Sequence, residues 1–121
     1  MTAPPGPHPF SSSASAQDGA PQLRFAGEFD LAALDDARAA LQAAIREADR
    51  REVLLDLDEV TFLDSCGLSL LIRARADALR RGGGLRVVAL SEPVRQLLEL
   101  TGTLELLAGE AGSADGVTLA R

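Results

Sequence analysis

The chain has 121 residues with one cysteine (Cys66), one histidine (His8) and no lysine, and its formal net charge is −6. One domain with its own core is expected at this length, whereas a disulfide framework, a thiolate or multi-histidine metal centre, a histidine-based triad and a lysine-dependent phosphate loop are all excluded. The acidic balance argues against a nucleic-acid surface, which works by neutralising phosphates; with no apolar leader and no span-length apolar stretch, a cytoplasmic protein without membrane insertion is expected.

Residues 1 to about 21 hold five of the six prolines. Such a segment buries too little apolar surface to offset ordering entropy, so residues 1–20 read as a flexible tail and 21–121 as the domain. Residues 10–16 leave room for a weak edge strand, with Gly19 in the hairpin turn. From Gln22 to Phe29, Leu23, Phe25 and Phe29 share one parity against Arg24 and Glu28, the period of a half-buried strand. Gly27 in that run marks a bulge or strand end. Asp30 reads as a helix N-cap. Leu34, Ala37, Leu41, Ala44, Ile45 and Ala48 then recur at helical spacing, predicting a helix over 31–49. Its end carries Arg50 and Arg51, which suit the helix dipole.

Glu52–Asp58 predicts a buried strand that Thr61, Phe62 and Leu63 prolong to a turn at Asp64 and Ser65. A helix from Cys66 to Arg81 stops at Gly82, Gly83 and Gly84. Leu85–Leu90 is the next strand, Ser91 the cap of a helix with Pro93 in its first turn, and Leu104–Ala108 a final short strand. A last helical turn is expected beyond it. This alternation predicts an α/β fold with a central sheet covered by helices.

The segment Asp58–Leu68 (DEVTFLDSCGL) carries the chemistry. A strand ends at Asp64 and a helix leaves at once, which sets Ser65 at the carboxyl edge of a sheet, where functional groups gather. Helical N–H groups point outward there with about half a unit of positive charge, suited to an anionic group on the Ser65 hydroxyl. Gly67 is expected to let a ligand or partner approach the first turn closely. Taken locally, an Asp-Ser pair before an apolar helix is more often a plain cap.

The run from Glu52 to Leu107, with D-S-C-G-L at 64–68, the glycines at 82–84 and S-E-P-V-R-Q-L-L at 91–98, resembles the STAS domain of bacterial anti-sigma factor antagonists, and G-E-F-D at 27–30 is similar to that family's G-E-L-D element. The resemblance implies a STAS fold: a central mixed sheet of four to five strands packed with about four α-helices. It also implies a non-enzymatic, cofactor-free binding protein. Its partner would be an anti-sigma factor with serine kinase activity, which it captures to free the sigma factor. Phosphorylation of Ser65 would end that capture, and a phosphatase acting on Ser65 would restore it. The positions the resemblance assigns to the contact are Asp30, Asp64, Ser65, Cys66, Gly67 and Ser69. Cys66 stands where Ser or Thr is frequent and Ser69 where Gly is, which bears on kinase recognition.

Other readings follow from single features. Cys66 and Arg73 suggest a phosphatase loop, but the residues between them read as helix and core, so Cys66 is expected to pack inside. Asp56, Asp58 and Asp64 suggest a phosphate receiver, yet the lysine it needs is missing, and the acids read as solvating strand ends. The arginines from Arg73 to Arg81 read as a solvated face. A STAS scaffold of a stressosome, or a small cytoplasmic subunit of a lipid-transport ABC system, keeps the fold and changes the task.

Overall fold

Successive residues of an extended chain point to opposite faces. In the computed structural model, which describes residues 9–17 and 19–109, the alternation predicted for Leu23, Phe25 and Phe29 is buried on one face of β2 (Ala20–Phe29). β2 forms an antiparallel hairpin with β1 (Ser11–Gln17), from Ser11 opposite Ala26 to Gln17 opposite Ala20. β1 makes one edge of the sheet. Phe10 anchors it: its half-buried ring lies 5.0 Å from Phe25 and 5.4 Å from Phe29, a cluster the serine-rich composition of this segment conceals. The other parts of the expected tail, 1–8, and the expected last helical turn lie outside the described residues.

β3 (Glu52–Leu63) and β4 (Gly84–Leu90) add in parallel, so the mixed sheet has the order β1-β2-β3-β4. The crossovers are α1 (Leu34–Ala48), entered through a 3-10 turn at Leu31–Ala33, and α2 (Ser65–Arg80). The two helices pack on each other. α1 gives Ala37, Leu41, Ala44, Ile45 and Ala48 to the core, and α2 gives Leu68, Leu70 and Leu71. α1 ends on two left-handed residues, Asp49 and Arg50 (φ 47° and 76°), and the Arg51 guanidinium donates to the carbonyls of Ala48 (2.9 Å) and Glu47 (3.3 Å), satisfying acceptors a helix end leaves free. α2 stops at Gly82, whose φ of 87° any other residue would hold at a cost.

α3 (Glu92–Thr101) packs against β3 and α4 (Leu104–Ala108) against β4. The strand expected at 104–108 is therefore a helical turn. Leu107 donates to Thr103 O at 3.1 Å and Gly109 to Glu105 O at 3.0 Å. A five-residue apolar run has no period long enough to separate the two states, and packing decides: the turn buries Leu107 to 1 % exposure while Glu105 stays out. Ser91 does hold the N-cap position of α3, but its hydroxyl donates to Val60 O at 2.6 Å and ties the helix start to β3 instead of capping it.

The residues of opposite parity form the second face of the sheet, where Arg24 pairs with Asp56 and Arg86 with Glu52, each at 3.3 Å. Asp56 does not solvate a strand end. It sits buried in mid-strand at a register shift and accepts the Asp58 N–H at 2.9 Å, which holds the irregularity of β3 in place.

Candidate functional site

β3 outruns β4: the last β3–β4 pair is Leu57 with Leu90, whereas β2 and β3 continue together to Phe29 with Leu63. The next residues are Asp30 and Asp64. Adjacent strands lie about 4.8 Å apart, so the two aspartates leave neighbouring strands at the same level of the carboxyl edge. Each caps the helical segment that follows. Asp30 Oδ1 accepts from Ala32 N at 3.1 Å, and Asp64 Oδ1 accepts from Gly67 N at 2.9 Å. The chain direction therefore turns in one residue at both places, and Ser65 becomes the first residue of α2 with its side chain exposed.

Gly67 is buried, contrary to the role expected for it. A Cβ here would lie 2.7 Å from Leu63 Cδ1, 3.0 Å from Phe29 O and 3.1 Å from Phe29 Cδ1. Its missing side chain lets α2 close onto the ends of β2 and β3, and that seating presents Ser65. Cys66 is exposed, not packed in the core, because the turn that buries Gly67 and Leu68 rotates positions 65, 66 and 69 outward. Ser65, Cys66 and Ser69 share a shallow groove of about 230 Å³ with Leu34, Arg38, Leu70 and Arg73. Asp30, Asp64, Ser65, Cys66 and Ser69 thus gather at one end of the molecule, with Gly67 beneath them.

Three contributors have no signal in the sequence. Arg38 comes from α1 and reaches the Ser65 groove only because α1 and α2 pack together. Leu31 and Phe62, 67 % and 48 % exposed, are large apolar side chains beside Asp30 and Asp64 in the chain. Their spacing fits a helix start and a strand end, so only their exposure sets them apart. Among the described residues there is no group of three or more His, Cys, Asp or Glu that could hold a metal ion, and no helix is long and apolar enough to cross a membrane.

The geometry is an exposed hydroxyl at a helix start, next to the capping Asp64 and one strand away from Asp30. The STAS domain family model matches residues 12–114. The chain belongs to the STAS domain family. An anti-sigma F factor antagonist of Paenibacillus polymyxa is 27 % identical over 85 residues, covering 70 % of this chain and 73 % of that protein. The crystal structure of an anti-sigma factor antagonist from Mycobacterium paratuberculosis superposes with a TM-score of 0.68 at 25 % identity, covering 88 % of this chain and 91 % of the other. The Bacillus cell fate determinant SpoIIAA in its phosphorylated form gives a TM-score of 0.60 at 21 % identity over 88 % and 97 % of the two chains, a likeness of fold. Among the described residues of this STAS domain, a four-stranded mixed sheet carries four helices.

Proposed function

We propose that this STAS domain is an anti-sigma factor antagonist: a binding module, not an enzyme, that captures an anti-sigma factor with serine kinase activity, releases the sigma factor, and is switched off by phosphorylation of Ser65. The observation that carries the reading is the exposed Ser65 at the first position of α2, beside Asp64 and one strand away from Asp30. Relatives that bear the name anti-sigma factor antagonist support it.

The physics of the switch is local. A phosphoserine carries about −1.5 to −2 charges at neutral pH. At Ser65 it would stand among carboxylates that are already committed to backbone donors and cannot turn away. The helix start tolerates the new charge, which its dipole favours. A partner seated on Asp30, Asp64, Leu31 and Phe62 would instead meet added bulk and charge inside an interface, and each 1.4 kcal/mol lost there weakens binding about tenfold. No change of fold is required.

The test is incubation with an anti-sigma factor kinase encoded in the same genome and ATP, followed by mass spectrometry. Phosphate on Ser65 alone is expected, with none on Ser65→Ala. Modification at another residue, or none at all, overturns the mechanism. In a pull-down with the same partner, Ser65→Ala retains binding and Ser65→Glu weakens it; equal retention of both would contradict the electrostatic account. A phosphatase that restores binding completes the cycle.

A further inference from the structure

A second groove, of about 460 Å³, runs between α1 and α2 and meets the Ser65 groove at Arg38, Leu70 and Arg73. Its charge is the reverse of the molecule's. Five of the chain's twelve arginines line it, Arg38, Arg46, Arg73, Arg80 and Arg81, against a single acid, Asp77, in a chain with eighteen acids and a net charge of −6. Asp77 pairs with Arg80 and Arg81 and so stays within the rim, and Arg38 pairs with the exposed Asp35. Arg46 and Arg73 have no ion-pair partner among the described residues. Beneath the guanidinium groups lie the buried Leu41, Ile45 and Leu70 and the half-buried Ala74, so the apolar floor is a narrow strip.

We infer that this groove is a docking channel for an acidic, amphipathic polypeptide segment of a protein partner. The rim supplies planar donors that match carboxylates and carries most of the recognition, while the narrow apolar strip beneath it meets the apolar edge of the segment. A duplex nucleic acid offers no such stripe and is repelled by the acidic remainder of the molecule. Local positive charge on an acidic protein also selects among partners, since a basic segment is rejected by the rim and an acidic one by the other surfaces. The connection with Ser65 rests on the function proposed above; the groove itself does not. If Ser65 is the switch, its phosphate sits at the mouth of the channel and competes with the segment for Arg38 and Arg73.

The probe is a fluorescein-labelled helical peptide with leucines at every third and fourth position and glutamates between them. Saturable binding is expected, weakening as salt rises. Amide shifts in the nitrogen-correlated NMR spectrum should fall within 38–46 and 70–81. Reversing two rim charges in Arg46→Glu/Arg80→Glu should weaken binding about tenfold or more. The milder Arg46→Gln/Arg80→Gln pair, with a thermal melt matching the wild type, should fall between. Absence of binding, equal binding of the same peptide with lysines in place of glutamates, tighter binding of a labelled DNA duplex, shifts on the β1 side of the molecule, or unchanged affinity in both variants would each overturn the inference. Peptide binding without phosphorylation of Ser65 would remove the switch and keep the channel; phosphorylation without peptide binding would remove the channel alone.

Discussion

The two strand-to-helix junctions at the carboxyl edge begin alike and end differently. Phe29-Asp30-Leu31 and Leu63-Asp64-Ser65 each place a buried apolar residue, a capping aspartate and an exposed residue in succession, and Phe29 and Leu63 are register partners. After Asp30 the chain winds through a 3-10 turn before α1 begins; after Asp64 it enters α2 directly. The difference lies at the third residue after each aspartate. Ala33 keeps a Cβ, whereas Gly67 has none and lets its helix seat against Phe29 O. One junction therefore displays an apolar side chain, Leu31, on a short turn. The other displays a hydroxyl, Ser65, at the first position of a 16-residue helix.

Substitutions that unseat one junction at a time test that contrast. Gly67→Val should have the largest effect, because even the first added carbon meets Leu63 Cδ1 at 2.7 Å and backbone at 3.0 Å. Overpacking of this kind costs about 1–3 kcal/mol, which should lower the thermal midpoint by roughly 5–15 °C; an unchanged melt would show that α2 is not held by this contact. Asp64→Ala should follow, at about 1–2 kcal/mol in urea unfolding, since its 2.9 Å bond caps a full helix in a half-buried setting. Asp30→Ala should cost less, about 0.5 kcal/mol, as its 3.1 Å bond is exposed and caps one 3-10 turn. Equal losses for the two aspartates would erase the asymmetry argued here. Ser65→Ala should be smallest, within about 0.5 kcal/mol of wild type, because the exposed hydroxyl makes no side-chain hydrogen bond among the described residues. A large loss would make Ser65 a structural residue.

Much of this was legible from spacing alone. A period-2 run located β2 and helical stripes located α1 and α2, because burial on one face leaves a repeat in the chain; short apolar runs located β3 and β4, and a cap position with Pro93 located α3. The caps at Asp30 and Asp64 were legible for a similar reason: a helix start needs an acceptor within three residues. Leu104–Ala108 was not, since five residues are too few to show a repeat. Cys66 and Gly67 exchanged their expected roles, exposed for buried, because a turn's rotation about its axis depends on what it packs against and not on its residue types.

By itself, then, the amino-acid order determined β2 to β4, α1 to α3, their sequence and the aspartate-serine corner, all of which depend on neighbours a few residues apart. Tertiary structure decided what the corner faces. It brought Asp30 level with Asp64 across 34 positions of chain through the Phe29–Leu63 pairing. It turned Gly67 inward and Ser65 outward, and it carried Arg38 and Arg46 of α1 against the arginines of α2 to make a basic channel in an acidic protein. Charge and periodicity are written along the chain. Which charges become neighbours is set by parallel crossovers that join residues far apart, and no local pattern records that distance.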